Sequence, residues 1–71
     1  MTVSKNSAGR MEIFYAQSED SYDDAIKLAV KEAAKSLPGK TLEWFEVVEF
    51  RGGIVNGDSA QFQVAIRVGY A

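Results

Sequence analysis

The sequence predicts an α+β domain in the order strand, helix, strand, strand, with a three-stranded sheet of antiparallel type covered on one face by one helix. Three observations lead there. Residues 22–37 carry apolar side chains at helical spacing. Asn56-Gly57 stands between two long runs rich in aromatic and β-branched residues. A short strand-like run, Met11 to Ala16, precedes the helix. The domain is expected over residues 11–71. Residues 1–10, polar and glycine-containing, are expected to form a flexible tail.

The first strand reads MEIFYA. Next comes QSEDSYDDAIKLAVKEAAKSLPGK, in which Ser18 and Ser21 are both candidate N-caps, because a serine oxygen accepts an orphan amide of the first helical turn. Ser21 with Asp24 resembles a capping box, with Asp in place of the longer Glu. The acidic cluster Glu19, Asp20, Asp23 and Asp24 complements the positive end of the helix dipole, and Lys31 and Lys35 complement the other end. As a calcium loop the cluster lacks the alternating ligands and central glycine. Tyr22, Ile26, Ala29, Ala33 and Leu37 form the apolar stripe, flanked by Ala25 and Val30. Pro38-Gly39 ends the helix.

The last two strands are expected at Leu42–Val55 and Asp58–Tyr70, joined by a type I′ turn at Asn56-Gly57. If Val55 faces Asp58, then Phe50 faces Gln63, Val48 faces Ala65, Glu46 faces Arg67 and Trp44 faces Gly69. Phe62, Val64, Ile66, Val68 and Tyr70 then share the helix-covered face with Phe45 and Val47. The other face holds Gln61, Gln63, Ala65 and Arg67 with Trp44, Glu46, Val48 and Phe50. A bulge at Gly52-Gly53 would slip this register by one. A right-handed crossover makes the first two strands parallel, with the third inserted between them. The uncovered face bears Trp44, Val48 and Phe50. On a water-soluble domain such a patch marks an interaction site, for another chain or a flat ligand.

Composition narrows the function. At 71 residues the chain is near the lower limit for a self-sufficient core. It has no cysteine for disulfides and no histidine, so oligomerisation is the remaining way to enlarge the buried surface. Eight basic residues are scattered among ten acidic ones, for a net charge of -2, without the basic stripe a nucleic acid needs. No apolar run approaches a membrane span, and the first residues lack the apolar segment of a secretory leader. A cytoplasmic protein is the expectation. There are no paired carboxylates at a catalytic spacing and no phosphate-cradling glycine loop, so no enzymatic activity is expected.

From Leu42 onward the text LEWFEV, then RG, NG, FQV and a closing VGY resembles the dodecins, small flavin-binding proteins that assemble as hollow dodecamers. The helix entry SEDSYDDAI is similar to the family's Thr-Ser-acid stretch, and the spacing from Trp44 to Gln63 matches without a gap. The resemblance implies that Trp44 stacks on a flavin ring (riboflavin or its mononucleotide, FMN). It gives Gln63 a hydrogen bond to the ring and turns Arg51 toward the flavin side chain or phosphate. It implies a homo-oligomeric storage protein that sequesters flavin and quenches its excited state by electron transfer from tryptophan. The chain departs from the family in having Tyr15-Ala16-Gln17-Ser18 where Gly-Thr-Ser is usual, and in a longer helix exit. It ends at Ala71 where many members add an arginine, so a phosphate contact from such a tail is expected to be absent. The alternative is a structural oligomer with no flavin, whose Trp44 face is purely protein–protein interface.

Overall fold

The structure is a computed structural model and describes residues 10–71; the expected tail, apart from Arg10, lies outside the described residues. The elements are β1 (Arg10–Ser18), α1 (Tyr22–Ser36), β2 (Leu42–Val55) and β3 (Asp58–Tyr70). The sheet order is β1-β3-β2, with β3 antiparallel to both neighbours, as expected. β1 starts one residue earlier than the sequence suggests and continues two residues further, to Ser18.

Both candidate capping serines are used. Ser21 is the N-cap, and its Oγ accepts from the Asp24 N–H at 3.0 Å. Ser18, buried at the end of β1, accepts the Asp20 N–H at 2.9 Å and donates to Asp24 Oδ2 at 2.7 Å. Asp24 thus turns its carboxylate to the second serine instead of closing the box on Ser21. At the other end the Leu37 N–H reaches the Ala33 carbonyl, and Gly39 takes the positive φ of 79° that stops the helix.

α1 meets the sheet through Ala25, Ala29 and Ala33, all fully buried, with Ile26, Val30, Tyr22 and Leu37 to the sides. Three alanines one turn apart let the helix axis come close to the strands. The stripe's centre is therefore rotated slightly from the expected one. From the sheet, Phe14, Val64, Ile66 and Val68 complete the core. The helix lies over β1 and β3 and hardly reaches β2.

The hairpin register explains why EWFEVVEFRGG alternates so poorly. Val55 faces Asp58, and Glu46 and Trp44 face Arg67 and Gly69, as expected. Between them the pairing is displaced by one: Phe50 faces Val64, not Gln63, and Glu49, not Val48, faces Ala65. Two irregularities bracket the displaced segment. One, between Gly53 and Ile54, leaves Ala60 of β3 unpaired; the other, between Val47 and Glu49, leaves Val48 unpaired. An extra residue in one strand slips the register, and an extra residue in the other restores it. A third shift skips Glu43. With Val48 looped out, Phe45, Val47 and Phe50 fall on the helix side, while Trp44, Glu46, Glu49 and Arg51 fall on the bare side. The expected placement of Phe50 on the open face is thereby corrected. Its ring instead meets Tyr22 edge-on, with centroids 5.1 Å apart at 87°, and Phe62 meets Tyr22 in the same manner. Phe45 does turn toward the helix side, yet it is 49% exposed, because α1 does not extend over β2.

Candidate functional site

The sheet face away from α1 is built in cross-strand rows. Gln17, Gln63 and Arg51 form one row; Tyr15, Ala65 and Glu49 the next; Ile13, Arg67 and Glu46 a third; Met11, Gly69 and Trp44 the last. Each row follows from strand alternation together with the Val48 bulge.

At one end lies an open depression of about 590 Å³, lined by Tyr15, Gln17, Glu49, Arg51, Gln63 and Ala65 among others. Gln63 Nε2 donates to Gln17 Oε1 at 3.2 Å across β3 and β1. Arg51 Nη2 is 2.8 Å from Glu49 Oε2, with both side chains largely in solvent. At the other end the Trp44 indole lies over Gly69. A Cβ on residue 69 would collide with three adjacent ring atoms, Cε2, Nε1 and Cζ2. The absence of a side chain on Gly69 is what lets the indole rest on the central strand. Trp44 also borders a smaller recess of about 170 Å³ with Val30, Leu42, Glu43, Phe45 and Val68. Between the two ends, Arg67 Nη1 and Glu46 Oε1 are 2.9 Å apart, the cross-strand pair the register predicts.

Of the three residues singled out from the sequence, Arg51 and Gln63 are direct cross-strand partners in one depression, while Trp44 stands apart. Gly69 is six positions beyond Gln63 on β3, about 20 Å at the rise of an extended strand. Sequence reasoning did not single out Gln17, Tyr15, Glu49 or Gly69. Gly69 was legible as the partner of Trp44. Gln17 was hidden because the strand was expected to stop at Ala16. Among the described residues no group of three acidic, histidine or cysteine side chains is arranged to hold a metal ion, and no helix is long and apolar enough to cross a membrane.

The fold and this face define a class: small β-α-β-β proteins whose single helix covers one side of a three-stranded sheet and leaves the other side bare. Comparison with known proteins narrows the class. The family model named Dodecin matches residues 11–71. A curated dodecin of Thermus thermophilus is 40% identical over 53 residues, 75% of this chain and 74% of that protein. The solved dodecin of Streptomyces davaonensis superposes with a TM-score of 0.78 at 36% identity, covering 86% of this chain and 87% of the other. That of Streptomyces coelicolor gives 0.77 at 36% identity, covering 86% and 84%. The chain belongs to the dodecin family.

Proposed function

We propose that this protein binds and stores flavin, either riboflavin or FMN, between copies of itself in a closed homo-oligomer, a dodecamer. In this reading it is a cytoplasmic binding protein and not an enzyme, and residues 11–71 are the functional unit. Trp44 is the stacking platform for the isoalloxazine ring. Gln63 bonds the polar edge of the ring, and Arg51 lies toward the ribityl chain or phosphate. Electron transfer from the indole quenches the excited flavin, and enclosure between subunits keeps it from reacting in solution.

One observation carries the reading. The bare face offers an aromatic surface, the indole seated on Gly69, and a separate polar depression with Gln63 and Arg51. An indole stacks on a flat π-system at about 0.5–1.5 kcal/mol beyond area burial. A primary amide supplies both a donor and an acceptor for the ring edge. The two features on one chain are further apart than the long axis of a tricyclic ring, so one flavin can use both only when they come from different copies. The exposed Tyr15, Ile13 and Met11 on the same face also call for cover by neighbouring chains.

The test is a titration of flavin-free protein with riboflavin and with FMN, following flavin fluorescence, beside a light-scattering mass. The expected results are strong quenching at a defined stoichiometry and a mass many times that of one chain. Unchanged fluorescence with both flavins on an intact oligomer would leave the purely structural shell as the function. A monomer would defeat the composite site itself.

A further inference from the structure

We propose that Gln17 is a specificity-determining residue, acting with Gln63 as a two-amide reader of a cyclic imide edge, the carbonyl–NH–carbonyl unit of a flavin's pyrimidine ring. The inference rests on the flavin reading above and deepens it. Gln17 and Gln63 are paired across β1 and β3, line the same depression and are joined by a 3.2 Å hydrogen bond between their side-chain amides.

A primary amide has two N–H donors and one carbonyl acceptor. In the pair, Gln63 commits one N–H and Gln17 commits its carbonyl. What the pair still offers includes the Gln63 carbonyl and the Gln17 NH2 group, beside the second N–H of Gln63. Turning both amides end for end exchanges the roles of the two residues but still exposes one carbonyl and one NH2. An imide edge asks for that combination, an acceptor for its N–H and a donor for a flanking carbonyl. A lone glutamine turns its amide freely; the bond to Gln17 couples the two amides, so that either joint orientation holds one carbonyl and one NH2 ready side by side. On the other side of Gln63 stands Arg51, whose guanidinium is engaged by Glu49. Gln17 is therefore the neighbour to which the Gln63 amide is coupled.

The experiment compares riboflavin with 3-methylriboflavin, in which the imide N–H is replaced by N–CH3. The proteins are the wild type, Gln17→Leu, Gln17→Glu, Gln63→Leu and Trp44→Ala, each assembled and each titrated by flavin fluorescence. The wild type is expected to bind the methylated flavin at least tenfold more weakly, since a carbonyl of the pair, covered once the flavin is bound, loses its donor. Gln17→Leu should weaken riboflavin about three- to tenfold, the worth of one hydrogen bond, and shrink the discrimination against the methyl compound. Gln17→Glu still accepts the Gln63 N–H but cannot donate, so it should keep the discrimination while weakening both flavins. If the leucine variant fails to assemble, the glutamate variant decides. Trp44→Ala should weaken both flavins alike. Gln17 variants with wild-type affinity and wild-type discrimination would overturn the inference while the flavin reading stands. A wild type that quenches neither flavin would overturn the flavin reading, and the inference with it.

Discussion

β3 and β2 are neighbours of similar length and similar apolar content, yet they end in opposite environments. On β3, Val64, Ile66 and Val68 are all buried, and Ile66 is fully inaccessible. On β2, Phe45, Val48, Phe50, Ile54 and Val55 are all exposed, Ile54 to 77%. β3 is central, paired on both edges and roofed by α1; β2 is an edge strand that the helix hardly reaches. β3 pairs with β1 without interruption, while the β2–β3 ladder shifts register three times. Position in the sheet, not the composition of the strand, decides what is core. An edge strand with so much exposed apolar surface is what the homo-oligomer proposed above would cover.

The largest expected effect sharpens this contrast. Ile66→Ala removes a branched side chain from the centre of the core and should cost about 2–5 kcal/mol. Val48→Ala, on a looped-out residue 40% exposed, should cost less than about 1 kcal/mol in the protomer. Urea unfolding of both variants measures the ratio. A Val48 cost as large as that of Ile66 would mean that β2 is core within the assembly, with its apolar surface buried against another copy.

A deletion attacks the comparison at its cause. Removing Val48 abolishes one of two compensating bulges. Because Val48 has no partner on β3, Val47 opposite Ile66 and Glu49 opposite Ala65 become consecutive pairs, and the two faces still alternate. Phe50 keeps its edge contact with Tyr22, and Arg51 stays opposite Gln63. What is lost is the local bend and twist that the extra residue gives β2. The expected loss is about 1 kcal/mol. Unfolding curves give that number, and a crystal structure of the deletion variant shows whether the pairs on either side are kept. A much larger loss, with Arg51 no longer opposite Gln63, would mean that the bend itself holds the hairpin in its register.

Element order, sheet order, hairpin turn and helix cap were legible in the sequence because each has a local chemical signature: Asn-Gly for the turn, serine before acidic residues for the cap, apolar spacing for the helix. The middle of the hairpin was not. A bulge is the outcome of competition between two whole strands for one register, and the residues that loop out, Val48 and Ala60, are ordinary strand formers. Gly52-Gly53 correctly flagged that a slip occurs, since one lies beside it, but nothing local announced the second that cancels it. The sequence reading therefore held for Trp44 and Glu46 and failed for Phe50 and Val48. Arg51 and Gln63 were singled out without being recognised as partners. The burial of Phe45 was overestimated for a different reason: periodicity tells which face a side chain is on, not whether the covering helix is wide enough to reach it.

Gly69→Ala tests the aromatic end of the bare face. The new Cβ would occupy the space of the Trp44 ring, so the indole must swing off β3. Because the ring can move outward, the cost should sit at the low end for overpacking, about 1 kcal/mol. The sensitive readout is optical: tryptophan emission should shift to the red, and flavin quenching should weaken with little change in melting temperature. Unaltered emission would show that the indole does not rest on Gly69 in solution.

The smallest effect comes from two ion pairs that look alike in distance and differ in what they join. Arg67 and Glu46 sit opposite each other on β3 and β2, so their 2.9 Å contact spans a strand boundary. Arg51 and Glu49 lie two residues apart on β2 itself, so their 2.8 Å contact ties no two elements together. The side chains of both pairs are more than a third exposed, where water and salt screen most of the attraction. Glu46→Gln should therefore cost a few tenths of a kcal/mol at low salt, within the 0–1 kcal/mol range of surface pairs, and less as salt is added. Glu49→Gln should cost nothing measurable, since an intrastrand contact survives in an unfolded chain nearly as well as in a folded one. Thermal melts of both variants at low and high ionic strength separate the cases. A salt-sensitive loss for Glu49→Gln larger than for Glu46→Gln would mean that Glu49 is paired across a boundary one chain does not contain, with a basic group of a neighbouring copy.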